Sequence, residues 1–399
     1  MKKNILILNR IDFSNYYDND KPVIDYSKYN VFILTKKIHA KSIPVNDYVE
    51  LISLDLNNDE RVIEIAKELH NKYKLDKVLA LSERNLLTAG LIREYCNISG
   101  MTYNDIYPFR DKCTMKSILK KANIKVPDYV EIKQVEDIVD FISKYNKVII
   151  KPRQGMGSEN TFVIESMEDL QTILPIISED IMSYEIEEFI EGELYHCDTV
   201  VQDGKVMFCS FMKYINSIMD YESNRFGGGF MLDDDLLDKN IRSFNKDVIK
   251  ALGFRNGVSH LELFIDKFGT ITFCEIAARP GGATIIPAYE QAYTINLHKA
   301  AICLELGQQL SKVKNTGYLS GYIILLPKKG VIKKVSDTRE FDKPWIPFKK
   351  INVKVGQVLS NAKYSSDSIA EFVVIGKSSR EVLNRLMWVE EQFMLECES

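Results

Sequence analysis

Two glutamates stand inside apolar runs a short distance apart. Ser259-His260-Leu261-Glu262-Leu263-Phe264 and Thr272-Phe273-Cys274-Glu275-Ile276-Ala277-Ala278-Arg279-Pro280-Gly281-Gly282 each read as a strand with an acid in its middle, and Asp266-Lys267-Phe268-Gly269 between them reads as a turn. Antiparallel pairing would set Glu262 beside Glu275. Two buried carboxylates side by side repel, and they are costly to desolvate without a cation. A hard divalent ion such as magnesium, shared between carboxylates and phosphate oxygens, removes that cost. Arg279 follows at the strand end and suits a developing anion. The competing reading is a hairpin with outward-facing acids, which the apolar neighbours disfavour. His260 lies two positions before Glu262 and so points the same way on a strand. It is a candidate catalytic residue or a core histidine.

A second group could hold a polyphosphate. Val148-Ile149-Ile150-Lys151-Pro152-Arg153-Gln154-Gly155-Met156-Gly157-Ser158 reads as a buried strand that delivers a lysine, followed by a glycine turn. Glycine leaves backbone N–H groups free to approach phosphate oxygens. Alone, the segment is equally an ordinary β-hairpin. Tyr184-Glu185-Ile186-Glu187-Glu188-Phe189-Ile190-Glu191-Gly192-Glu193 alternates acidic and apolar residues and then turns. Such a strand can offer its backbone to an adenine edge and a following carboxylate to ribose hydroxyls. An exposed acidic edge strand would read the same way.

Three further residues need weighing. Lys213, on the strand-like Phe208 to Ile215, could reach a γ-phosphate or lie on the surface. Arg225-Phe226-Gly227-Gly228-Gly229 reads as a mobile loop whose arginine could hold a substrate carboxylate, or as a plain surface loop. Glu83 follows the strand Val78 to Leu81, at the end where α/β sheets bind ligands. It could hold an amino group, or serve as a helix N-terminal charge.

The elements that must position these groups are legible in the pattern. Asn4 to Leu8, Val31 to Thr35 and Lys77 to Leu81 read as buried strands, with helices at Arg61 to Tyr73 and Leu86 to Tyr95 between and after them. That alternation implies a parallel, doubly wound sheet. No Gly-x-Gly-x-x-Gly follows the first strand, so no dinucleotide site is expected there. Asp111 to Ala122 and Val135 to Tyr145 read as helices. Tyr318 to Leu326 and Ala370 to Ile375 read as strands, and Ser379 to Phe393 as a closing amphipathic helix.

The order of the pieces is more specific than any one of them: lysine helix, strand-lysine-glycine loop, acidic strand, paired glutamates, arginine. This order resembles the ATP-grasp superfamily, over about Asp111 to Gly307. The resemblance implies an ATP-grasp fold of α/β and α+β class. An N-terminal doubly wound α/β domain would span 1–107 and the ATP-grasp core 108–310, its two halves about 112–190 and 191–310. A C-terminal α+β lobe would span 311–399. It further implies that Lys112 and Lys151 contact the α- and β-phosphates, with Lys116 as the nearby substitute for Lys112. Gly155, Gly157 and Ser158 would close over the phosphates. Glu187, Glu188, Phe189 and Ile190 would surround adenine, and Glu193 would bind ribose. Glu262 and Glu275 would hold magnesium, or manganese in its place. Arg279, Gly281 and Gly282 would face the substrate. The family often has Glu-x-Asn-x-Arg where this chain has Glu275-Ile276-Ala277-Ala278-Arg279, and Ala277 offers no ligand. The Glu-x-x-x-Arg-Pro-Gly-Gly form still looks like members that include amino-acid ligases, carbamoyl-phosphate-synthase-like proteins and peptide-antibiotic biosynthesis enzymes.

Composition narrows the function classes. The 399 residues carry 52 Lys+Arg against 56 Asp+Glu, a net charge of −4, which argues against a nucleic-acid partner. The cysteines number 7, an odd count without Cys-x-x-Cys spacing, so neither a disulfide framework nor a zinc site is expected. No stretch approaches a membrane span or a signal sequence, and a reducing cytoplasm is the expected compartment. The expectation is an ATP-dependent carboxylate–amine ligase acting on L-amino acids through an acyl-phosphate. Rivals are an ATP-grasp ligase loading a carrier-protein thiol, a carboxylase-like or carbamoyl-phosphate-synthase-like ligase, and a nucleotide-binding protein without catalysis. Expected partners are small amino acids, with a carrier protein and a second copy of the chain as further candidates.

Overall fold

A computed structural model describes residues 2–216, 225–282, 284–362, 364 and 367–398. The N-terminal layer is a parallel sheet ordered Glu50–Ser53, Tyr29–Thr35, Lys3–Asn9, Lys77–Ala80. The short first of these strands was not expected from sequence. Helix Asp59–Tyr73 is capped by Asn58, whose side chain accepts from the Arg61 N–H, and it stops at Lys74 in the left-handed region. Its buried stripe is Val62, Ile65, Ala66 and Leu69, and it packs with helix Leu86–Cys96 on one face of the sheet. The other face is covered partly by Phe13 and Tyr16 and partly by Ile302 and Leu306, which come from far along the chain. The N-terminal sheet is therefore packed into the rest of the molecule rather than tethered to it.

The second sheet is antiparallel and ordered Tyr129–Glu131, Tyr184–Glu188, Val148–Pro152, Phe162–Ile164. Helices Val135–Lys144 and Met167–Ile177 bury Ile138, Phe141, Leu170 and Ile173 against it. Helix Lys112–Lys121 begins at Asp111, whose carboxylate accepts from the Thr114 N–H and also takes two hydrogen bonds from Arg153 at 2.9 and 3.0 Å. That arginine belongs to the glycine turn, so the lysine helix and the turn are tied at their starts.

The third sheet is the largest, with eight antiparallel strands in the order Ile271–Ala277, Gly257–Ile265, Glu193–Gln202, Lys205–Tyr214, Phe226–Phe230, Leu319–Leu325, Ala370–Gly376, Phe348–Ile351. Helix Asp235–Ala251 packs on one face and Ile285–Ala292 on the other. The sheet runs unbroken across residue 310, where sequence reading places a boundary. Strands from either side of that point pair directly, Phe226–Phe230 with Leu319–Leu325. Ile271–Ala277 is its edge, and there the Phe273 N–H donates to the Lys125 carbonyl at 3.0 Å.

Candidate active site

The site is set by strand register. Glu262 and Glu275 are direct partners in the ladder, as the hairpin reading expects, and a bulge follows Glu262 on its strand pair. In a regular strand Cys274 and Glu275 would face opposite sides. Here both line one cavity of about 370 Å³, together with Glu262. Bulges commonly re-aim side chains beside active sites.

Lys112, Lys151, Gly155, Gly157 and Ser158 line the same cavity, as do Glu187, Glu188, Phe189, Ile190, Glu193 and Lys213. Every cofactor-facing residue expected from sequence is thus gathered there, with one exception. Lys116 is 0 % exposed and does not reach the cavity. Its ammonium donates to Glu185 at 2.8 Å and to Glu187 at 2.5 Å, and it lies 4.5 Å from the centre of the Tyr129 ring. Lys112 and Lys116 are one helical turn apart, so only packing separates them. The expectation that Lys116 could replace Lys112 at a phosphate is corrected: its charge is consumed inside the protein.

Around the cavity the charges interlock. Lys112 donates to the Gly155 carbonyl and pairs with Glu275, both at 3.1 Å. Burial opposes charge on Glu275, but Lys112, Lys151 and Arg279 outweigh it and hold the carboxyl down to about 2. Burial likewise opposes charge on Lys151, and Glu187 overcomes it, raising the ammonium well above the lysine range. Lys213 pairs with Glu193 at 2.5 Å. The two glutamates suit a magnesium ion, since they are adjacent in the ladder and both line the cavity, and hard oxygen donors are what that ion takes. Ala277 pairs with His260 in the ladder and adds no ligand.

His260, Arg279, Gly281 and Gly282 lie outside the cavity lining. The Nδ1 of His260 is 2.9 Å from Asp198 and its Nε2 is 3.6 Å from Glu262. Burial opposes the imidazolium, yet Asp198 and Glu262 raise it to about 9. Arg279 donates through Nε to Glu83 at 2.8 Å and through Nη1 to the Pro280 carbonyl at 2.9 Å. Glu83 is buried, and its other oxygen accepts from Arg110. This corrects the expected substrate-amine role of Glu83. Both its oxygens are occupied by arginines, and what it does is fix Arg279. Arg225 is also corrected. Its segment is a strand rather than a loop, and its guanidinium donates to the Phe393 carbonyl and pairs with Glu390, away from the cavity lining.

Sequence reading missed Arg110, Asp198 and Tyr214, whose hydroxyl donates to Glu262 at 2.7 Å. Asp198 carried a signal. In Tyr195-His196-Cys197-Asp198-Thr199 a histidine and an acid alternate with Tyr195, Cys197 and Thr199 on a buried strand, which puts both on one face.

A family model described as an ATP-grasp domain matches residues 109–283. These residues form an ATP-grasp domain. The L-arginine-specific L-amino acid ligase of Bacillus subtilis is 26% identical to this chain over 394 residues, covering 95% of the chain and 94% of the relative. The crystal structure of an L-amino acid ligase from Bacillus licheniformis superposes with a TM-score of 0.80 at 16% identity, covering 100% of this chain and 99% of that one. The biotin carboxylase domain of a Hydrogenobacter thermophilus 2-oxoglutarate carboxylase, solved as a dimer with MgADP and bicarbonate, superposes at 0.71 with 15% identity, over 100% of this chain and 91% of its own. The chain is similar over nearly its whole length to L-amino-acid ligases. Enzymes with this domain use ATP and magnesium. Among the described residues, no helix is long and apolar enough to cross a membrane.

Proposed function

We propose that this ligase activates the carboxylate of one L-amino acid as an acyl-phosphate and joins it to the amine of a second, releasing ADP and phosphate. The observation that carries the reading is the direct pairing of Glu262 with Glu275 at the end of a cavity that also holds Lys112, Lys151 and the glycine turn. Cations and metal-binding acids converge at one end, the arrangement that phosphoryl transfer requires.

In this reading adenine lies along Glu187 to Ile190 and ribose at Glu193. Lys112 and Lys151 hold phosphate oxygens, and Lys151 exchanges its Glu187 partner for phosphate on binding. Glu262 and Glu275 would hold magnesium, which supplies neutralisation of phosphate charge. Arg279, immobilised by Glu83, directs its remaining N–H groups at the attacking carboxylate and at the acyl-phosphate that forms as ADP leaves. Attack by the incoming amine then breaks the acyl–phosphate bond and forms the amide, so no protein nucleophile is needed.

The test is product analysis across a panel of L-amino acids, singly and in pairs. The expected result is amino-acid-dependent ADP and phosphate, with hydroxylamine trapping the activated carboxylate in place of the amine. Stoichiometric AMP and pyrophosphate would overturn the mechanism.

A further inference from the structure

We propose that His196, Asp198 and Tyr214 are positioning residues that fix the metal-facing carboxylate of Glu262, the first two acting through His260. The inference rests on the ligase reading for the purpose of Glu262, and on the strand geometry for the network itself.

Strands Glu193–Gln202 and Gly257–Ile265 pair so that His196 stands opposite Glu262 and Asp198 opposite His260. All four side chains therefore share one face of the sheet. Asp198 is wholly buried, and a buried carboxylate must be satisfied by donors. Its two oxygens are, one by the Nδ1 of His196 at 2.7 Å and the other by the Nδ1 of His260 at 2.9 Å. Placing the protons on Nδ1 fixes both ring orientations, as a second partner does for a ligating histidine. His260 then turns its Nε2 toward Glu262 Oε1, the oxygen that Tyr214 also engages. Glu262 Oε2 has no hydrogen-bond partner among the described residues, and the residue lines the cavity. One oxygen is tethered from behind, and the other is left for an ion.

Two features hold the unit in place. His196 is walled by Tyr214, Tyr289 and Tyr322, with ring centres at 5.1, 6.3 and 6.3 Å, so it cannot swing away. Gly281 passes so close that a Cβ there would stand 2.9 Å from Asp198 Oδ1 and 3.1 Å from His260 Nδ1. His196, Asp198 and His260 are of metal-ligating type, and their donor atoms lie within 4.8 Å of one another. Both Asp198 oxygens are nevertheless already bonded to the ring nitrogens, so the group reads as a hydrogen-bonded relay and not as a second metal centre.

The experiment measures Mn2+ binding in the presence of ADP, from the free-ion electron paramagnetic resonance signal, alongside kcat and the affinity for metal-free ADP. The variants are Asp198→Asn, His196→Leu and His196→Asn, which keeps an N–H donor for Asp198. Cys197→Ala, a core change on the opposite face of the same strand, is the control. Loss of such an outer partner typically weakens a metal site about 10–100-fold. Asp198→Asn and His196→Leu should therefore lose about tenfold or more in Mn2+ affinity and lose kcat, with metal-free ADP affinity retained. His196→Asn should recover most of that loss, and Cys197→Ala should bind Mn2+ as the parent does. Parent-like Mn2+ affinity in both Asp198→Asn and His196→Leu overturns the proposal, as does an equal loss in Cys197→Ala. If Asp198→Asn does not fold, the two His196 variants decide. A parent enzyme that releases no ADP with any amino-acid pair counts against the ligase reading alone, because metal binding is read without amino acids.

Discussion

Replacing Lys116 with methionine removes one charge from a closed set of four. Lys116 and Lys151 face Glu185 and Glu187, and all four are buried. Methionine restores most of the volume but leaves two carboxylates against one ammonium. The structure then has two options. It can keep a buried uncompensated charge, and breaking a buried pair in this way costs about 3–5 kcal/mol. Alternatively, one carboxyl can take up a proton. At pH 7, for a carboxyl with an ordinary pKa near ~4.3, that costs about 3.7 kcal/mol at 1.36 kcal/mol per unit. The two routes agree, and the loss is a large share of a typical stability of about 5–15 kcal/mol. The second route has a pH signature. The folded variant would bind one proton more than the unfolded chain, so its stability falls as pH rises, by about 1.4 kcal/mol per unit near neutrality. The parent, with an ammonium facing each acid of the cluster, takes up no such proton. Tryptophan fluorescence is the wrong probe, because both tryptophans, Trp345 and Trp388, pack in the C-terminal cluster. Amide hydrogen exchange of helix Lys112–Lys121 and strand Tyr184–Glu188 reads the local opening directly. Adding Glu185→Gln should return much of the loss by restoring one cation to one anion. A single variant within about 1 kcal/mol of the parent, with no pH slope between 6 and 8, would refute the reasoning.

Other outcomes follow from the same geometry. Glu275→Gln should abolish ADP release while part of the nucleotide affinity survives, since Lys112 and Lys151 remain; near-parent turnover would remove the metal assignment. Glu83→Gln should lower kcat by roughly 100-fold through misplacement of Arg279, with the KM for ATP little changed, as steady-state kinetics will show. Arg225→Ala should leave kcat/KM unaltered and cost under about 1 kcal/mol in thermal unfolding, because the arginine side chain is itself largely exposed.

The two glutamate-bearing strands were legible because a short turn between two apolar runs leaves one sensible register, and that register pairs the acids. The choice between Lys112 and Lys116 was not legible. Residues four apart on a helix share a face, and only the depth of Glu185 and Glu187 decides which lysine is kept from the cavity. The Arg225 segment misled for a related reason. Its glycines resemble a flexible loop, but a Cβ at Gly228 would stand 2.5 Å from the Tyr322 carbonyl oxygen and one at Gly229 2.9 Å from the Tyr322 ring. They are there for close strand packing. Glu83 could be found at its strand end, but its arginine partners lie 27 and 196 residues away in the chain. Local pattern carries no information about contacts at that range.

The place of Ile271–Ala277 at the rim of the large sheet bears on how the protein must be assembled. An outermost strand with free backbone donors is a template for self-association. Here a stretch made earlier by the ribosome covers it: the Lys125 carbonyl takes the Phe273 N–H, and the Met115 sulfur lies 3.4 Å from the Ile276 N–H. The seal is therefore already synthesised when the vulnerable strand emerges. A fragment beginning after residue 126 would lack that cover, and its glutamate-bearing rim would be open to pairing with another copy. Such a fragment would lose solubility together with the phosphate-facing Lys112.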